Sequence, residues 1–434
     1  MVLEQTIMKQ KYTLFYTYFI LLPSLFCLQA CSSEKLPQPF SGELSFNRYV
    51  AVGDEFTAGY MNGGLYAEGQ EKSFPNLLVR QLNLIGNVPF KQPLLNGNGT
   101  GFWAIDSLMD QACELFPPNP HFSINQASGS WENNVARFGP YHNISFPKLK
   151  LSHVNRELLY QENPFFSRIV DIPDSGSYSY LDVLASTQSD FFSLWIGVND
   201  VLAYALHGGD HPAYLMTEPD SFRINFLQVL YALTDQNPQT AGVVANVMDI
   251  TSLPYFSTVP HEWIDAENCN GVAQAIYIET DTEVRIAGVD DLILLAADSL
   301  LGVGGWGLSA QFPIPKELVL DEAEHREVIQ MIQIYNQHIK SVVNEYNSQL
   351  PKARIALVNI YEELHEATDE GLVVDGVNIS GAYLSGGLFS LDGLFPTARG
   401  NAFITNIFIS SMNDFFKASI PSLSITDFKG VEFP

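Results

Sequence analysis

An apolar run over residues 49–52 leads directly into Gly53-Asp54-Glu55-Phe56-Thr57-Ala58-Gly59, and two further acidic positions, Asp200 and Asp392, stand at similar junctions later in the chain. Four carboxylates gathered at one end of a sheet could hold a hard cation such as calcium, which takes oxygen ligands. Acidic residues after strands also cap helices by accepting backbone N–H groups, and capping is the reading adopted for Asp54 and Asp200. His207-Gly208-Gly209-Asp210-His211 has the residue types of a metal site. Zinc needs a third protein ligand and a rigid element to hold it, whereas two adjacent glycines make this stretch a loop. No metal and no other cofactor is expected. The glycines of 302–307 are not a phosphate cradle either, because no Lys-Ser/Thr follows them.

The elements that position these residues follow from periodicity. Strand-like runs at 49–52, 191–196, 242–247 and 355–358 alternate with helical patterns, the signature of a parallel sheet covered by helices. The fold class is therefore three-layer α/β. The clearest helix starts near Asp321, where Asp321 and Glu324 have capping-box spacing. Its apolar positions Val328, Ile332, Tyr335, Ile339, Val342 and Tyr346 recur at intervals of three and four, giving one buried face, and it ends before Pro351. A second helix after Ser73 carries Leu77, Leu78 and Leu82 inward, with Pro75 in its first turn. Residues 86–145 and 251–320 interrupt the alternation. Segments of that length carry function or form an added subdomain over the core. Trp103, Trp131 and Trp306 lie within them, where rings could stack on a sugar or cover an acyl chain. The preferred reading is that they seal the insertions onto the sheet.

The chain has 434 residues, 46% hydrophobic and 16% charged, with a formal charge of −26. It can bury a large core, and so acidic a surface excludes nucleic acid as a partner. Residues 1–30 read as a targeting segment: Lys9 and Lys11 precede an apolar run over 12–26, and Leu28-Gln29-Ala30-Cys31 follows. This is similar to a bacterial lipobox, whose cysteine is lipidated after cleavage; a start at Met8 gives a signal of more usual proportions. A membrane-spanning anchor is the competing reading, opposed by Pro23 and the small-residue cleavage site. Residues 31–46 then comprise the lipidated Cys31 and a tether. Loss of the signal takes away only Glu4, Lys9 and Lys11, so the acidic character belongs to the remainder. Cys113 and Cys269 are left as the one possible disulfide pair in an exported protein.

Three blocks, in order, carry a family resemblance: Gly53-Asp54-Glu55-Phe56-Thr57-Ala58-Gly59; Ile196-Gly197-Val198-Asn199-Asp200; and Ser390-Leu391-Asp392-Gly393-Leu394-Phe395-Pro396-Thr397-Ala398-Arg399-Gly400. A weaker block, Asn143-Ile144-Ser145-Phe146-Pro147-Lys148, falls between the first two. Over residues 47–417 the chain resembles the SGNH, or GDSL-like, hydrolases, especially the large exported lipoproteins typical of Bacteroidetes, leaving 418–434 as a C-terminal tail. The resemblance implies the SGNH (flavodoxin-like) fold, with a parallel sheet and long inserted loops. It also implies ester hydrolysis by a serine, a histidine base and an aspartate that steers it. The oxyanion hole would be built from the serine N–H, a glycine N–H of the second block and the asparagine of the third.

Asn199 matches that asparagine and Asp392 the aspartate. The serine position holds Glu55, the glycine position Lys148 and the histidine position Phe395. Ser45, Ser73 and Ser390 do not lie at the strand-to-helix turn that exposes the nucleophile. His121, His142, His153, His261, His325, His338 and His365 fall outside the motif frame, one of them being available to act as a base from another loop. Glu55 and Lys148 are expected to form a charge pair across the old oxyanion pocket, with Phe395 filling the imidazole's space. The leading expectation is a catalytically impaired protein, lipid-anchored at the bacterial outer membrane, that binds a glycan, an acyl ester or a protein partner. One alternative is an ester hydrolase in which Glu55 activates water; another is a structural subunit of an envelope complex.

Overall fold

The computed structural model describes residues 38–108, 120–171, 176–209, 211–264 and 273–434. The four strand-like runs form one sheet: β1 (Tyr49–Gly53), β2 (Phe191–Trp195), β3 (Ala241–Ala245) and β4 (Ile355–Val358), in the order β1-β2-β3-β4 with every pairing parallel. β1, β2 and β3 are buried along their whole length, as expected for strands covered on both faces. Residues 142–146 extend the sheet beyond β1. Ala51 N donates to His142 O (2.8 Å), Ile144 N to Ala51 O (3.0 Å) and Phe146 N to Gly53 O (3.3 Å). With that segment counted second in the chain, the spatial order is 2-1-3-4-5, the flavodoxin-like arrangement.

After β1 come α1 (Glu55–Ala58) and α2 (Phe74–Leu82); α3 (Asn199–Ala205) and α4 (Pro219–Thr234) follow β2. The 27-residue α5 (Glu322–Ser348), α6 (Ile360–Asp369) and α7 (Ala398–Phe416) complete the layers. The capping box at α5 forms as expected: Asp321 accepts from Ala323 N and Glu324 N, and Glu324 Oε2 accepts from Asp321 N at 2.8 Å. The six apolar positions of α5 are buried, and Tyr335 stacks on Phe222 of α4 with centroids 3.9 Å apart. On α2, Phe74 stacks on Phe408 of α7 at 4.5 Å and meets Trp195 of β2 edge-on. Each such ring contributes about 1.5–3 kcal/mol by burial.

The insertion over 251–320 has a small core of its own, including Val259, Ile276, Ile278, Ile293, Ile314 and Val319. Short antiparallel pairs frame it (Tyr277–Glu279 with Val284–Ile286, Leu292–Ile293 with Val319–Leu320). It is clamped by Asp291, which takes both terminal guanidinium nitrogens of Arg285 (2.5 and 2.7 Å) and the N–H of Glu322 at the start of α5 (2.9 Å). In the other insertion, Phe102–Leu108 pairs with Pro120–Asn125. Beyond α7, Ile420, Leu423, Ile425 and Phe428 are buried in the main core. Among the described residues no helix is long and apolar enough to cross a membrane. Residues 1–30, Cys31, Cys113 and Cys269 lie outside the described residues.

Candidate functional site

β1 delivers its last residues into a tight turn. A Cβ on Gly53 would lie 2.2 Å from Thr57 Oγ1 and 2.3 Å from Trp195 O, so only glycine lets the turn approach β2. Asp54 caps α1 by accepting from Phe56 N (3.1 Å), and Gly59, with φ +89°, closes it. Glu55 is thereby fixed as the first helical residue and is buried.

Two donors from distant parts of the chain converge on the Glu55 carboxylate. Lys148 N donates to Oε1 at 2.7 Å and Asn199 Nδ2 to Oε2 at 2.6 Å. Asn199 also reaches Leu149 O at 3.2 Å. Lys148 has φ +64°, a left-handed conformation unusual for a residue with a Cβ, and it is this turn that aims the N–H inward. Contact with Lys148 runs through the main chain; its side chain is exposed and no ion pair joins it to Glu55. The expected charge pair is therefore replaced by a backbone hydrogen bond. Burial raises the Glu55 carboxyl above its ordinary range, opposed by the bonds from Asn199, its own N–H and Lys148 N.

Asp392 has no imidazole to steer. Oδ1 accepts from Leu394 N and Phe395 N, both at 2.9 Å, and Oδ2 from Gly63 N at 2.7 Å. Burial raises this carboxyl and these N–H groups oppose the shift. Ser390 Oγ accepts from Asn62 N at 2.9 Å, and Asn62 Oδ1 from Leu391 N at 3.1 Å, so the last motif block and the 61–64 turn are knit together. Phe395 is 7% exposed and packs between Phe56 (4.9 Å) and Tyr60 (4.8 Å).

Asp200 accepts from Leu151 N (2.7 Å), Ser152 N (3.3 Å) and Thr217 Oγ1 (2.5 Å); burial pushes it up to about 6. Burial, and next the neighbouring Glu55, raises Asp54. Both acidic residues are occupied with backbone N–H groups, and among the described residues no group of three metal-ligating side chains gathers. His207 stacks on Tyr214 at 3.6 Å with His211 beside it, Asp210 lying outside the described residues. Trp103 lies over Gly63, Trp131 on Phe165 and Trp306 against Phe312.

One feature escaped the motif frame. Asp249 and His365, on the loop after β3 and on α6 after β4, meet at 3.4 Å beside a cavity of about 690 Å³. The available signal was their place beyond the carboxyl ends of two strands, where open α/β sheets bind ligands.

Residues 49–408 match the family described as GDSL-like Lipase/Acylhydrolase. No curated protein matches the chain. Among solved structures, a candidate GDSL-like lipase from Parabacteroides merdae aligns at 12% identity and a TM-score of 0.35, covering 86% of this chain and 98% of that one. The family 3 carbohydrate esterase of Clostridium thermocellum aligns with the same identity, coverage and TM-score.

Proposed function

The chain belongs to the GDSL-like lipase/acylhydrolase family, and from that premise we propose that it is a member that no longer hydrolyses esters and instead binds a glycan, an acyl ester or a partner protein at the cell envelope. The observation that carries this reading is the position of the Glu55 carboxylate. It accepts the N–H of Lys148 and the amide of Asn199, two of the three donors that the family resemblance assigns to an oxyanion. A carboxylate carries the same negative charge as the tetrahedral oxyanion, so it satisfies the hole permanently. A substrate carbonyl would find those donors taken.

Catalysis through serine is further opposed by Phe395, which offers no proton acceptor and sits in an aromatic cluster. Loss of a nucleophile and its base costs on the order of 10⁶ in kcat in a serine protease, and the losses are not additive. Burial raises the Glu55 carboxyl, the direction that suits a general base. That observation favours the water-activating alternative, but a base needs an oxygen lone pair open to water, and Glu55 is 7% exposed with a donor on each oxygen. If Glu55 swung out to act as a base, it would have to leave the donors that hold it.

The test is hydrolysis of short-chain and acetylated-sugar esters by the purified full chain, with Glu55→Ala beside it. The expected result is no turnover by either; turnover by the parent would overturn the reading, and its loss in Glu55→Ala would assign the activity to Glu55. We also propose that the protein is exported and anchored to the outer membrane through Cys31, supported by the Leu28-Gln29-Ala30-Cys31 pattern. Metabolic labelling with a fatty acid should mark the chain and be lost in Cys31→Ala; equal labelling of both would remove the anchor.

A further inference from the structure

The cavity of about 690 Å³ beside Asp249 and His365 lies within the range of about 300–1,000 Å³ typical of small-molecule sites. Four parts of the fold form its walls. Asp249 comes from the loop after β3, His365 from α6, and His325 from the first turn of α5, while residues 381–385 close the side nearest the last motif block. Tyr383, on that closing loop, is fixed by its hydroxyl donating to Leu391 O at 2.7 Å.

The hydrogen-bonding state of the two histidines determines what the cavity accepts. Asp249 is 7% exposed, and its Oδ1 already takes Thr251 N (2.9 Å) and Thr251 Oγ1 (2.7 Å), which locks the carboxylate. Its Oδ2 faces His365 Nδ1 at 3.4 Å. That Nδ1 is buried and makes no hydrogen bond, the Asp249 carboxylate at 3.4 Å acting on it through charge alone, whereas the side chain as a whole is 44% exposed. The accessible edge of the ring is therefore the one bearing Nε2. Opposite a carboxylate the proton of the neutral ring sits on Nδ1, leaving Nε2 as an acceptor. His325 is arranged likewise: its Nδ1 lies 2.9 Å from Asp290 O, a carbonyl that can only accept. Both rings thus present lone pairs.

A ligand that suits this lining brings hydroxyl donors. It carries no negative charge, because Asp249 and Asp369 line the cavity and no lysine or arginine does. Ile329 and the Tyr383 ring add apolar surface for C–H groups. We propose that this cavity is a binding site for a neutral polyhydroxylated ligand, a saccharide in chemical terms, with His365 held by Asp249 and accepting a ligand hydroxyl through Nε2. The proposal goes beyond the reading of Glu55 and does not depend on it. Ester turnover would overturn that reading and leave this site untouched.

Isothermal titration calorimetry of the full chain, in a detergent without a sugar headgroup, tests the site with short neutral xylan, cellulose, mannan and starch oligosaccharides. At least one should bind. His365→Phe should weaken it about tenfold or more, the loss of one buried hydrogen bond and its partner. Asp249→Asn should weaken it too, since an amide N–H₂ facing Nδ1 forces the proton onto Nε2 and turns the acceptor into a donor. His211→Ala, remote from the cavity lining, serves as the control and should bind as the parent does. Melting curves identify any variant that has failed to fold, and the Asp249 variant keeps an oxygen for Thr251. Absence of binding by every oligosaccharide, or binding indifferent to both cavity variants, would overturn the proposal.

Discussion

Glu55→Ala removes the Cγ methylene and the carboxylate and leaves the hole that received them. Lys148 N–H then has no acceptor, and Asn199 keeps only its 3.2 Å bond to Leu149 O. Hydrogen bonds to a charged group contribute about 1.5–3 kcal/mol each, so two such bonds give roughly 3–6 kcal/mol before any offset. Desolvation of the carboxylate opposes this, as the raised Glu55 carboxyl indicates, and water entering the vacated space satisfies part of the loss. The net destabilisation expected is about 2–4 kcal/mol. The deleted atoms have the composition of acetate, and the donors that remain are those of an oxyanion site. Acetate should therefore rescue the variant: a ligand at 100 times its Kd stabilises by about 2.7 kcal/mol. Urea denaturation of the parent and of Glu55→Ala, in sodium acetate and in sodium chloride of equal ionic strength, measures both effects. The parent should be indifferent to acetate because its hole is full. A variant as stable as the parent, or an acetate shift of equal size in both proteins, would refute the self-filled oxyanion hole.

Lys148→Gly should raise the melting temperature relative to Lys148→Ala, by the roughly 1 kcal/mol that a Cβ costs in the left-handed region. Neither should resemble Glu55→Ala, because both keep the N–H. For Asp200, burial raises the folded carboxyl from 3.8 to about 6, so the native state holds its proton more tightly than the unfolded chain. The stability this supplies is fully present below pH about 4 and is lost as pH rises through 6, amounting to roughly 3 kcal/mol at about 1.36 kcal/mol per unit. Urea midpoints between pH 4 and 7.5 should fall more steeply in the parent than in Asp200→Asn, where the raised Asp54, Glu55 and Asp392 carboxyls still contribute; equal slopes would remove Asp200 as a source. Glu55→Ser combined with Phe395→His should hydrolyse a short-chain ester at least about 10²-fold faster than either single variant, since a general base contributes about 10²–10⁴ only when a nucleophile is present. An additive outcome would show that the Asp392 region no longer admits the imidazole.

The central strands were readable because each is a short apolar run buried on both faces, and α5 because an acidic cap precedes a regular apolar stripe. The fifth strand was not. Residues 142–146 lie in the sheet beside β1 only, with His142 N turned to Lys91 O, and carry Asn143 and Ser145 among their apolar neighbours, so the stretch reads as a motif rather than a strand. At the site, residue types brought Glu55, Lys148 and Asn199 to one place but misjudged how they meet. A lysine opposite a glutamate suggests an ion pair; the contact made here depends on a φ of +64°, a backbone property that glycine would have advertised and lysine conceals. Asp249 and His365 belong to no shared motif, and only the topology that ends β3 and β4 side by side brings them together.

The substitutions cohere once each polar group is followed to its partner. An oxyanion hole is a set of convergent donors that needs an acceptor, and Glu55 supplies one from within the chain. Asp392, with no imidazole beside it, turns to the N–H groups of Gly63, Leu394 and Phe395, which ties the 61–64 turn to the last motif block. Phe395 closes the remaining space against Phe56 and Tyr60. The carboxylates of Glu55 and Asp392 are thus held by donors from within the chain, so this point of the sheet has less polar capacity left to offer a ligand. The acceptors proposed for a ligand lie instead beyond β3 and β4, where His325 and His365 line a polar cavity. On the two proposals made above, the scaffold is kept and the chemistry given up at one strand end while a binding site stands at the next.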